Sequence, residues 1–494
     1  MIDKILRLGK EAAIYGLSSI VGRFLNFLLV PFYTNILLPS EYGVIANLYA
    51  YIAFAAVLFG YGMDAAYMRF VASLEIGDKR QNFSVPFISV ATTSLLFSLL
   101  LHWNAAFLAG VMGIPPEHSA LVRFAAWVLF FDAVALVPYA YLRMENKAGT
   151  FASIRIVNIV LTIVLNIVFL LAFELRAEGI LLANVIASAL TLIIQLRWII
   201  PNFTVAFSSR LYKELLRFAL PYVPAGLASI AMQVIDRPIL KMLTNDATVG
   251  VYQANYRMGV FMMLVVGMFD YAWRPFFLKH ADKPDAKPLF SKVFTLFSVV
   301  AMTLLVLLTL FIDDLIRIRI GSVYFIHPDY WNGALIIPVI LLAYVFNGAY
   351  VNFLVGIYLE KKTSILPIVF GLGALVNVIA NILLIPELGI MGAAYATLLS
   401  YVVLAVGIYI PSQRFYRIDY EWETIVRLIA VTTLIISVFK LLSLEPASIE
   451  GILWKAGLAV AFIILVLFAR VVNPDEFRKT QNAVERLSGP SAQK

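Results

Sequence analysis

Long apolar runs with few charges recur from one end of the sequence to the other, at about 12–37, 41–63, 85–108, 119–142, 151–173, 179–200, 219–243, 247–272, 293–312, 332–359, 365–385, 389–410, 424–442 and 452–471. A helix of roughly 20 residues crosses a hydrocarbon layer of about 30 Å, so each run is long enough to span a membrane. The pattern predicts an all-α polytopic membrane protein with fourteen transmembrane helices. One stretch differs. In 203–218 (FTVAFSSRLYKELLRF) apolar and basic residues share a helical period, which predicts a cytoplasmic surface helix. Its Leu211, Leu215, Leu216 and Phe218 would face lipid, and Arg210, Lys213 and Arg217 would face headgroups. Residues 473–494 read as a polar cytoplasmic tail. Arg23 interrupts the first run and no A-x-A site follows, so the first helix is expected to stay as a signal anchor.

The chain also repeats itself. At an offset of about 207 residues, Pro31 matches Pro238, Gly43 matches Gly250, Tyr49 matches Tyr256 and Gly60 matches Gly267. Matched Pro and Gly carry more weight than matched Leu or Val, because they fix kinks and turns. At about 215, Glu145-x-Lys147 matches Glu360-x-Lys362 and Asn166-Ile167 matches Asn381-Ile382. The organisation read from this is two pseudo-symmetric six-helix lobes, 1–200 and 208–411, around a central cavity, with an additional helix pair at 424–471 and the tail at 473–494. Six helices per lobe makes the repeats parallel, the geometry of a carrier that rocks between two faces.

Charge sets the orientation. Of 38 Lys and Arg, 27 fall in the connections that alternate with only five on the opposite side, namely Arg176, Lys241, Arg317, Arg319 and Lys440. Positive residues accumulate in cytoplasmic loops, so both termini are expected in the cytoplasm. The formal charge of +8 is therefore topological and points to no nucleic-acid partner. The chain has no cysteine, and its four histidines are scattered, which excludes thiolate chemistry and Cys- or His-rich metal centres. The opposite connections are short, the longest lying near 313–331, which leaves no room for an external domain. A glycosyltransferase, polymerase or ligase would need such a domain to carry its catalytic side chains.

The stretch Asn377-Val378-Ile379-Ala380-Asn381-Ile382-Leu383-Leu384-Ile385-Pro386, followed by Gly389 and Gly392-Ala393-Ala394-x-Ala396-Thr397, resembles the N-x3-N-x-LLIP-x2-G-x2-GAA-x-AT pattern of polysaccharide flippases. Val21-Gly22-Arg23 through Pro31, Pro39-Ser40-Glu41-Tyr42-Gly43 and Lys361-Lys362-Thr363 are similar too. These belong to the polysaccharide transport family of the MOP exporter superfamily, relatives of multidrug MATE exporters and lipid II flippases. The resemblance implies a non-enzymatic flippase in the bacterial cytoplasmic (inner) membrane. Its cargo would be an undecaprenyl-pyrophosphate-linked oligosaccharide, of O-antigen, capsule or exopolysaccharide type. Its partners would be that cargo, membrane lipid and other polysaccharide-assembly proteins. It implies no cofactor beyond a coupling H+ or Na+. A MATE-like drug or cation exporter is the alternative, and the added helix pair favours the flippase. From the residues alone, Pro386 would end a helix and Gly392-Ala393-Ala394 would form a small face for close packing.

Charges deep in spans cost at least about 2.5–3.5 kcal/mol and so should face a cavity or a partner. Arg23 in the first helix and Arg257 in the eighth approach from opposite lobes, and a guanidinium offers paired donors to pyrophosphate oxygens. Related lipid II flippases carry cavity arginines on these same helices. Tyr256, Asn26 and Arg237 complete the candidate cargo site. Neighbours on a helix point about 100° apart, so Asp236 and Arg237 should reach separate partners. Asp132, Asp270 and Asp236 are candidate ion-coupling carboxylates, with Arg123 or Arg155 as structural partners for Asp132. Lys455 lies near a span end, where a long side chain can reach the interface.

Overall fold

The computed structural model describes residues 20–469. The beginning of the first run, Lys4, Arg7, Lys10 and the tail 473–494 lie outside the described residues. Thirteen described helices are long and apolar enough to cross a membrane, and a shorter apolar one precedes them. In chain order they are α1 (Ile20–Ile36), α2 (Pro39–Ser73), α3 (Lys79–Trp103), α4 (Pro116–Met144), α5 (Ala148–Leu171), α6 (Arg176–Asn202) and α7 (Ser209–Val234). Then follow α8 (Asp246–His280), α9 (Ala286–Arg317), α10 (Pro328–Leu359), α11 (Ile365–Leu388), α12 (Ile390–Phe415), α13 (Trp422–Leu442) and α14 (Ile449–Phe468). The all-α polytopic fold follows from the physics of the bilayer, where every backbone N–H and C=O needs an internal partner. The described strands are a short antiparallel hairpin between α9 and α10, β1 (Arg319–Ile320) with β2 (Val323–Tyr324).

The helices are segmented where the sequence dictates. α1 breaks at Leu28, and the α7 chain breaks at Ile235 before continuing as Asp236–Leu243. Each break lies three residues before a proline, Pro31 or Pro238, which lacks the N–H for the bond four residues back and crowds that carbonyl. The two prolines stand at matched positions of the repeat. α2 bends at Tyr61 and Gly62, both in the left-handed region, and α8 passes through a 3₁₀ turn at Arg257–Gly259.

In the first half of the chain α4 packs on α3 and α6, and α5 on α6; in the second, α10 and α11 pack on α12, and α8 on α10. The halves meet most closely where α2 crosses α8. A Cβ on Gly43 would sit 1.8 Å from the Asp246 carbonyl oxygen, and one on Gly250 would sit 1.9 Å from that of Pro39. The backbones touch there because both residues lack a side chain.

Several expectations change. The surface helix is Ser209–Ala219, but Leu211 and Leu215 are buried in a protein cluster with Phe59, Met63, Val85 and Leu129, so its apolar face docks on the first half instead of on lipid. Pro386 does not end its helix: α11 runs on to Leu388 and stops at Gly389, whose φ of 55° is in the left-handed region. Gly392 then packs against Leu384, where a Cβ would lie 2.4 Å from its carbonyl oxygen. Lys455 does not reach the interface. It is 1% exposed and donates to Asp314 Oδ2 on α9 at 2.7 Å, while Asp314 Oδ1 accepts from the Ala447 backbone N–H. With Val306, Leu310, Leu428 and Phe462, this pair fixes α13 and α14 to α9.

Removing one partner of a buried ion pair leaves an uncompensated charge, which costs about 3–5 kcal/mol, whereas an apolar replacement of both is close to neutral. Lys455→Met alone should therefore lower the detergent-solubilised protein's unfolding temperature, and Lys455→Met with Asp314→Leu should recover most of the loss. Gly43→Leu should destabilise by about 1–3 kcal/mol or more through overpacking in the same assay, whereas Gly371→Leu, at a position with no neighbouring atom within 4 Å, should not.

Candidate functional site

A cavity of about 460 Å³ opens between the two halves. Five residues singled out by sequence, Arg23 and Asn26 on α1, Arg237 on the segment after α7, and Tyr256 and Arg257 on α8, line it together. The first half adds Tyr33, Tyr49, Thr162 and Asn184, and the second adds Gln233, Gln253 and Tyr344. The described lining holds no Asp or Glu.

The three arginines differ in their surroundings. Arg237 is 5% exposed and held by three hydrogen bonds: Nη1 donates to Asp236 Oδ1 at 2.6 Å and to the Gln233 carbonyl, and Nε donates to Gln253 Oε1 at 3.1 Å. Its guanidinium lies 4.1 Å from the centre of the Tyr256 ring and 5.6 Å from that of Tyr252. Asp236 and Arg237 thus do pair, contrary to the expectation from helical spacing. The short Asp236 side chain also accepts the Arg237 backbone N–H on the same Oδ1, at 3.0 Å. Asp236 Oδ2 also accepts from the Tyr252 hydroxyl at 2.6 Å. This cluster is neutral overall.

Arg23 and Arg257 have no Asp or Glu beside them in the described lining. Arg23 Nη1 reaches across to α8, 4.0 Å from where a Cβ on Gly267 would sit. The Arg257 guanidinium acts electrostatically on Tyr42, Tyr33 and Tyr49, all from the first half. The cavity therefore has two cations without a protein counter-charge in its described lining.

The candidate coupling carboxylates lie elsewhere. Asp132, on α4, lies near Ser188 of α6 and in the field of Arg155. Arg155 itself rests against the rings of Tyr139 and Phe151. Asp270 accepts two bonds from Arg274 one turn along, at 2.7 and 3.0 Å. Asp236 belongs to the Arg237 cluster.

Sequence reasoning missed Asn184, Gln233 and Gln253. Asn184 Nδ2 donates to the Tyr49 hydroxyl at 2.8 Å and to the Ile180 carbonyl, which leaves its Oδ1 for the cavity. Gln253 accepts from Arg237, which leaves its amide N–H groups for the cavity. A signal was present: Gln233 and Arg237, like Gln253 and Arg257, are four residues apart and so share a helix face. Most amides that punctuate the spans instead bond backbone carbonyls. Asn47 donates to Met112, Asn255 to Tyr330 and Asn381 to Asn377.

Residues 8–281 match the family model described as polysaccharide biosynthesis protein. An uncharacterised membrane protein of Methanocaldococcus jannaschii is 23% identical over 431 residues, 80% of this chain and 83% of that one. Among solved structures, the lipid II flippase MurJ in an inward closed conformation is 15% identical with a TM-score of 0.75, covering 93% of this chain and 99% of its own. An inward-facing multidrug resistance MATE family transporter of the MOP superfamily is 14% identical with a TM-score of 0.62, covering 79% and 94%. The chain therefore has the fold of the MOP-superfamily transporters and belongs to the polysaccharide biosynthesis protein family.

Proposed function

We propose that the protein is a flippase that carries an undecaprenyl-pyrophosphate-linked oligosaccharide from the cytoplasmic to the outer leaflet of the cytoplasmic membrane by alternating access. The observation that carries the reading is the pair Arg23 and Arg257. They come from opposite halves, face one cavity in an apolar bundle and have no acidic residue beside them in its described lining. Two unneutralised guanidiniums at membrane depth favour an anionic guest, and their forked donors suit phosphate oxygens. Tyr33, Tyr49, Asn184 and Gln253 offer ring faces and amides to sugar hydroxyls. The family, and the likeness to a lipid II flippase, support the same class of cargo.

In this reading Arg237 is a positioning residue. Its charge is cancelled by Asp236, and it holds Gln253 and Tyr256 at the cavity wall. The protein moves its cargo without making or breaking a covalent bond. A cation exporter would need acid in the lining, so the alternative of MATE-like cation transport is disfavoured by the same observation. For ion coupling by H+ or Na+, Asp132 is the best-placed carboxylate, because Asp270 and Asp236 are already held by arginines. The charge asymmetry supports cytoplasmic termini.

Loss of a charge-assisted hydrogen-bond pair costs about 1.5–3 kcal/mol per bond, or at least tenfold in binding. In proteoliposomes given lipid-linked oligosaccharide, Arg23→Ala and Arg257→Ala should each reduce translocation at least about tenfold, with the lysine variants intermediate. Wild-type rates in the alanine variants would exclude the assigned roles, and drug efflux without any oligosaccharide translocation would overturn the function. Asp132→Asn should abolish the dependence of transport on the H+ or Na+ gradient; a retained dependence would remove Asp132 from the coupling scheme.

A further inference from the structure

The connection between α9 and α10 crosses from one half of the molecule to the other. Asn35, near the end of α1, acts toward Tyr324 of β2 as a neighbouring strand would: its Nδ2 donates to the Tyr324 carbonyl at 2.6 Å and its Oδ1 accepts the Tyr324 N–H at 3.0 Å. Six residues on, the Tyr330 hydroxyl donates to the Leu37 carbonyl at 2.9 Å, and the Tyr330 carbonyl accepts from Asn255 of α8 at 2.8 Å. Tyr330 is fully buried, with its ring against Tyr42. Segment 319–330 is thereby bonded to the α1–α2 corner on the face that carries few basic residues, next to the crossing of Gly43 and Gly250.

We infer that segment 319–330 is a releasable strap that holds the two halves together on the outer face and whose release opens the central cavity to that side. The three bonds that tie this segment to the first half, two with Asn35 and one with the Leu37 carbonyl, are all between neutral groups, each worth about fivefold in an equilibrium, so the set is breakable on the scale of a conformational change. The strap is also joined to the site. The far segment of α1 holds Asn35, the near segment holds Arg23 and Asn26 in the cavity, and the break at Leu28 lies between them. Asn35 Nδ2 also donates to the carbonyl of Pro31, the residue responsible for that break. A change in the angle of α1 on cargo binding therefore acts on the Asn35 bonds.

This inference rests on the two-sided carrier reading, and it is tested without cargo. The sequence contains no cysteine, so Thr162→Cys places a single thiol in the cavity wall. Its reaction with a membrane-impermeant maleimide is followed in right-side-out and inside-out vesicles. Relative to Thr162→Cys alone, adding Tyr330→Phe should raise the outer-face labelling rate about fivefold. Asn35→Leu, which removes both bonds to Tyr324, should raise it about 25-fold, with Asn35→Asp in between. The inner-face rate should stay level or fall. An unchanged outer-face rate in Asn35→Leu and Tyr330→Phe, or an equal rise from both faces, overturns the strap. Because labelling needs no cargo, a strap effect in a protein that translocates no lipid-linked oligosaccharide leaves the strap standing and removes the proposed function. Translocation with no strap effect does the reverse.

Discussion

The crossing of α2 and α8 at Gly43 and Gly250 is the contact on which the rest of the arrangement depends. Within hydrocarbon the hydrophobic effect gives helices no reason to associate, so close approach depends on shape and on small residues. Here a methyl group on either glycine would fall inside a backbone carbonyl of the other half. That approach brings the first-half wall of Tyr33, Tyr42 and Tyr49 opposite Arg257, and it leaves the two halves free to enclose a cavity further along the same helices.

Around this crossing, charged groups fall into two physical classes. Asp236 with Arg237, and Lys455 with Asp314, are buried pairs whose charges cancel and whose remaining polar atoms are largely hydrogen-bonded. They hold a broken helix and the C-terminal helix pair in place. Arg23 and Arg257 are cations facing the cavity with no described counter-ion. In a low-dielectric interior the first class is a structural fastening and the second is an invitation to an anion. The difference is one of partners.

Kinks are distributed by the same logic. Pro31 and Pro238 interrupt α1 and α7 at matched positions, and cavity-lining residues lie on both sides of each interruption.

The sequence by itself determined the fold class, the succession of spans and the matched prolines and glycines, because these depend on local composition and on the bilayer's demand that backbone groups be satisfied within each helix. It also singled out Arg23, Asn26, Arg237, Tyr256 and Arg257, since a charged or polar residue inside an apolar run is visible without knowing its neighbours. What such a residue touches is a property of other helices. Only the tertiary structure decided that Arg237 is cancelled and Arg257 is not, that Lys455 meets Asp314, that Leu211 and Leu215 pack on protein instead of lipid, and that Asn184 and Gln253 turn toward the cavity. Those outcomes rest on contacts between residues far apart in the chain, which hydropathy along the chain does not encode.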